Sequence, residues 1–176
     1  MNSVTHKTHP HEEKQNFTAP EISEDGKTVR FKGKVYHLHK ISRESALWME
    51  GTTHEHFDNG LMTIKDNEIW YTSTIPWEYL PYAVIQEIEC PNMEILGTAV
   101  PAMEEELKYV PQNILWEYLM WRLHFFENVS SFWEQFQNDW DERAQKYYIS
   151  CQAVVSYLKT RGVWNHTKQI LSEQNV

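Results

Sequence analysis

Glycine is scarce in this chain, six in 176 residues, and cysteine is scarcer still, with two. So few glycines leave little scope for a phosphate-cradling loop, and no P-loop or dinucleotide fingerprint is present. Cys90 and Cys151 cannot make a disulfide framework, and a reduced compartment suits them. Long apolar runs are missing too. None approaches the roughly 20 residues needed to cross a bilayer, so no membrane partner is expected. The first 28 residues are polar and hold no signal-like apolar stretch, which points to a cytoplasmic location. Nucleophile signatures of the G-x-S-x-G and C-x-x-C kinds are also absent.

Basic residues are missing from the middle of the chain. Residues 50–142 hold three (Lys65, Lys108 and Arg122) against eighteen Asp and Glu, a balance of −15. The flanking stretches are positive, +2 over residues 1–49 and +4 over 143–176, and the whole chain carries −9. Such a middle block repels nucleic-acid phosphates and anionic lipid and attracts a basic protein surface. The plainer reading of the same charge is a face that keeps the protein in solution.

Large rings are abundant, with eight Trp, nine Tyr and seven Phe. They supply a core and exclude global disorder. Residues 1–27 read as a disordered polar tail, 28–164 as a single domain, and 165–176 as a frayed C-terminal tail. Thr28–Phe31 and Val35–His39 alternate with period two around Lys32-Gly33, which predicts a hairpin. In that register Val29, Phe31, Tyr36 and Leu38 face inward, and Arg30, Val35, His37 and His39 face the other way. A short helix or turn is expected near 42–49. A second hairpin is expected from Leu61–Ile64 and Ile69–Thr72 around Asp66-Asn67.

Helical patterns follow from about residue 80 to 160: one from Pro81 to Cys90, one from Ala102 to Tyr109, then the longest. Leu115, Leu119, Arg122, Phe126, Val129, Trp133, Phe136 and Trp140 recur every three or four residues. Ser131-x-x-Glu134 has the form of a capping box, so a break near 128–131 is expected. A last helix from Asp141 is expected to stop at Gly162, behind Lys159 and Arg161. The fold class predicted is α+β: a small antiparallel sheet of two hairpins followed by a helical C-terminal half.

Residues 61–90 run as strand, turn, strand, Pro-containing turn and helix, and the helix ends Gln86-Glu87-Ile88-Glu89-Cys90. This order resembles the minimal core of the zincin metallopeptidases, with these residues standing at the positions of H-E-x-x-H. There two His at i and i+4 bind zinc and the Glu is the general base. The resemblance implies Glu87 as base in a metal-dependent hydrolase, with a further ligand among Glu104, Glu105 and Glu106. Gln86 and Cys90 depart from the His pattern, so zinc is the alternative and no cofactor is the main expectation.

His37 and His39 share one strand face, and His54 and His56 lie in the following loop. With Cys90 they are the alternative metal ligands. Trp116 and Phe125 lie off the stripe of the long helix, so that helix is either covered all round or carries an exposed apolar face for a partner or a second copy. The function expected is non-enzymatic: a small acidic protein that binds another protein, as a regulator or inhibitor of a basic nucleic-acid-handling partner of bacterial or phage type. The residues expected to meet it are Glu117, Glu127, Trp133, Glu134, Asp139, Trp140, Asp141 and Glu142.

Overall fold

A computed structural model describes residues 18–42, 62–134 and 141–173. In chain order these form β1 (Glu21–Ile22), β2 (Thr28–Phe31), β3 (Lys34–Ile41), β4 (Met62–Lys65) and β5 (Glu68–Thr72), then α1 (Leu80–Glu89), α2 (Ala99–Tyr109), α3 (Leu115–Glu134) and α4 (Glu142–Glu173). The protein is α+β, with its strands first and its helices after.

Both expected turns are present. Lys32 and Gly33 take φ of 48° and 77°, the left-handed pair that a two-residue hairpin turn requires. They set Phe31 opposite Lys34 and Val29 opposite Tyr36. Asp66 takes φ 58° in the turn between β4 and β5, a conformation that Asp tolerates better than most side chains. Val29, Phe31, Tyr36 and Leu38 are buried, while Arg30, Val35, His37 and His39 are exposed, as the alternation predicts.

The sheet is nevertheless mixed, not antiparallel, and is more than two hairpins. Its order is β1-β2-β3-β5-β4, and β3 pairs with β5 in parallel. The second hairpin presents its later strand to the first. β5 carries Ile69 and Tyr71, both buried, and gains by being flanked on both sides. β4, with the exposed Lys65, is left at the edge, where charge discourages further pairing. On the opposite edge, β1 pairs Ile22 with Val29. It lies inside the stretch read as a tail, because two residues and a turn suffice to extend an existing ladder. The expected helix or turn at 42–49 falls almost wholly outside the described residues.

Helix boundaries shift as well. α2 starts three residues before the predicted Ala102. α3 runs unbroken through 128–131, so the capping box there is not used. Phe126 and Val129 are buried in the helical core with Val154, Val155 and Leu158 of α4, and this packing outweighs a local stop signal. α4 continues past Gly162 to Glu173; one interior Gly costs only about 1 kcal/mol relative to Ala.

Two apolar clusters meet at α1. Leu80, Val84 and Ile85 join the inner face of the sheet. A second cluster gathers Met103 and Leu107 of α2, Tyr118, Leu119 and Phe126 of α3, and Cys151, Val154 and Leu158 of α4. Trp121 packs against both.

Candidate functional site

The three shorter helices are tied together by a buried polar centre. Glu106 and Arg122 are 0% and 3% exposed, which places a full ion pair in the core. Arg122 donates from Nε to Glu106 Oε1 at 2.8 Å and from Nη2 to Oε2 at 2.8 Å. The Tyr118 hydroxyl donates to Oε1 at 2.6 Å, and Arg122 Nη2 also reaches Gln86 Oε1 at 3.3 Å. Burial pushes the Glu106 carboxyl above its ordinary value, although Arg122 and Tyr118 pull it down. Burial works against the Arg122 charge, yet Glu106 and Tyr118 outweigh it and hold the guanidinium protonated. A bidentate pair with its remaining lone pairs occupied is the form in which buried charge is tolerated.

This centre accounts for Gln86. Its side chain is buried and engaged with Arg122, and its amide nitrogen lies 3.3 Å from Met93 Sδ. Cys90 is buried, with Sγ 3.1 Å from Thr98 Oγ1, and burial raises its thiol pKa. Glu87, between them in sequence, is half-buried. Glu105 and Glu106 are committed elsewhere: Glu106 to Arg122, and Glu105 to Lys32 at 2.9 Å and Lys108 at 2.8 Å. His37 and His39 are exposed on the outer sheet face. His39 contacts Glu68 and stacks on Trp70 at 5.4 Å. His54 and His56 lie outside the described residues, and no cluster of three metal-ligating side chains occurs among those described.

The predicted partner face divides. Asp139 and Trp140 lie outside the described residues. Glu127 pairs with Lys159 at 2.9 Å and Glu142 with Lys146 at 2.5 Å. Glu134 accepts the Tyr148 hydroxyl at 2.7 Å, and Asp141 caps α4 by accepting the Ala144 amide at 2.8 Å. Trp133 is half-buried, 5.9 Å from the Tyr147 ring. The positive flanks of the sequence thus fold back on the acidic middle. Lys32 comes from one flank, pairing with Glu89 at 2.7 Å, and Arg143, Lys146 and Lys159 come from the other, Arg143 pairing with Glu94 at 2.5 Å.

Glu117 belongs to a different patch. Burial, then the carboxylates of Glu78 and Glu117, push the Tyr79 phenol above its usual value. Both charges acting on that ring are negative. Trp116 and Met120 remain 39% and 43% exposed. Trp116 and Met120 are one turn apart on α3, with Glu117 beside them. Tyr79 itself is held by Tyr118 and Trp121, at ring distances of 5.1 and 5.3 Å.

No protein family, curated protein or solved structure matches the chain.

Sequence reasoning passed over Tyr118 and Glu78, and weighed Glu106 only as a metal ligand. A signal for the role of Glu106 was present: an arginine on an otherwise apolar helical stripe implies a buried carboxylate to pair with it. Glu78 carried no such signal, because the joint effect of Glu78 and Glu117 on Tyr79 depends on tertiary packing.

Proposed function

We propose that the protein acts by binding a partner protein with a basic surface, through the patch of Glu78, Tyr79, Trp116, Glu117 and Met120. The observation that carries this reading is that Tyr79 packs on Tyr118 of α3 at 5.1 Å, within electrostatic reach of Glu78 and Glu117, while Trp116 and Met120 of the same helix are exposed. An aromatic face flanked by carboxylates suits an inserted Lys or Arg side chain, by charge and by cation–π attraction. Trp116 and Met120 would supply the apolar contact that fixes affinity, and Glu117 the charge that steers encounter. Glu127, Glu134, Asp141 and Glu142 then act within the molecule, which narrows the interface predicted from sequence. A regulator or inhibitor of a basic nucleic-acid-handling protein fits this chemistry.

The test is affinity capture from host extract at low and high salt, with wild type, Trp116→Ala/Glu117→Gln, and Glu104→Gln as a control outside the patch. Basic proteins should be recovered at low salt and reduced at high salt. The double variant should lose at least about tenfold, as expected when an interface anchor is removed. Capture that is independent of salt, unchanged in the double variant, or limited to further copies of this chain would refute the reading.

A further inference from the structure

At one end of the sheet lies a groove of about 600 Å³, lined by Glu24, Asp25, Gly26 and Lys27 of the turn after β1, by Leu38, Lys40 and Tyr71, and by Ser73, Ile75, Pro76 and Trp77. Its size is in the range of small-ligand sites, about 300–1,000 Å³. Leu38, Tyr71 and Ile75 are core residues and give it an apolar wall. Lys40 lies two residues beyond Leu38 and opposite Tyr71 in the β3–β5 ladder, so its amine rises from the same sheet face. Trp77 is 55% exposed, and the turn closes against its indole. A Cβ on Gly26 would stand 3.2 Å from the Trp77 ring, and Gly26 takes φ +68°. Glycine permits both the conformation and the approach.

The charges in the groove are not equivalent. Asp25 is occupied by the turn, accepting the Ser23 hydroxyl at 2.7 Å and the Lys27 amide at 3.1 Å. Lys27 and Lys40 form no ion pair among the described residues, whereas Lys32, Lys108, Lys146 and Lys159 all do. Two amines that form no ion pair among the described residues, an apolar wall and an indole therefore share one groove with the carboxylates of Glu24 and Asp25, in a chain of net charge −9. We infer that this groove binds a small planar aromatic anion, its ring against Trp77 and its anionic group at Lys40 and Lys27. The overall negative charge opposes an anion at long range, so the two amines must act at contact distance, inside a Debye length of about 8 Å.

The inference rests on different residues from the partner patch and is tested separately, with the full chain and three naphthalene probes in ligand-detected NMR: naphthoate, naphthalenemethanol and naphthylmethylammonium. Naphthoate should bind with a Kd near 1 mM or tighter, on the order expected for about a dozen heavy atoms. The neutral and cationic probes should bind at least about fivefold more weakly. Lys40→Gln should weaken naphthoate by about tenfold, as loss of one charge-assisted contact does. Trp77→Ala should weaken it, Trp77→Phe should restore part of the affinity, and Lys65→Gln should leave it unchanged. No naphthoate binding at about 5 mM, several times the Kd expected for a ligand of this size, equal binding of the three probes, or indifference to Lys40→Gln would overturn the inference.

Discussion

Replacing Arg122 by Met tests the buried centre most directly. The substitution removes both contacts to Glu106 and the contact to Gln86, and leaves a fully buried carboxylate with no cation beside it, held only by the Tyr118 hydroxyl and the Gln86 backbone. Breaking such a pair from one side costs about 3–5 kcal/mol. At roughly 2–4 °C per kcal/mol for a protein of this size, the melting temperature should fall by about 6–20 °C. Arg122→Met/Glu106→Gln leaves no buried charge and should recover at least about half of the loss, which a double-mutant cycle reads as coupling. The pH dependence has a definite sign. Burial already holds the Glu106 carboxyl above its ordinary value, and removing Arg122 deletes the strongest influence that lowers it. A carboxyl raised in the folded state does no harm below its unfolded value, about 4.3, because both states are then protonated. As the pH climbs through the interval between the unfolded and folded values, the unfolded chain ionises first and stability is lost. The deficit of Arg122→Met relative to wild type should therefore be smaller at pH 4 than at pH 7.5. Urea unfolding followed by circular dichroism at both pH values is the assay. A deficit under about 1 kcal/mol at pH 7.5, below the range for a broken buried pair, or a double variant that costs the sum of the two single changes, would refute the reasoning.

Two further outcomes follow from other groups. Hydrogen bonds from Lys108 and then Lys32 hold the Glu105 carboxyl down at about 2, so its contribution is present above the unfolded value and is lost as the pH falls from about 4.3 towards 2. Because both lysines are half exposed, Glu105→Gln should cost only about 1 kcal/mol at pH 7, and less in 1 M salt, as urea midpoints would show. Cys90 and Cys151 are buried with thiols raised by desolvation, so a thiol reagent should label the folded protein far more slowly than the protein in denaturant. Rapid labelling of either in the native state would contradict that burial.

Local alternation and turn chemistry determine a good deal of this protein from sequence alone. Period two and a left-handed two-residue turn are enough to set the β2–β3 register, since a slip of one residue would turn Val29 and Phe31 to water. The stripe of α3 likewise identifies Leu115, Leu119, Arg122, Phe126 and Val129 as its buried side, because 3.6 residues per turn admits only one such face. Neither periodicity carries information about which strand edge meets which. The parallel β3–β5 pairing therefore belongs to the tertiary structure, where β5 buries more by lying between two strands. Stop signals at Ser131 and Gly162 are local preferences of about a kilocalorie; helix packing overrides the first, and α4 runs on through the second. The charge blocks were legible as totals, and the Glu142–Lys146 pair follows from helical spacing, but only folding brings Lys32, Arg143 and Lys159 onto the acidic middle and puts Tyr79 within electrostatic reach of Glu117. Coulomb interactions depend on distance in space, and Glu117 acts on Tyr79 only because Tyr118 of α3 packs on the Tyr79 ring, just before α1.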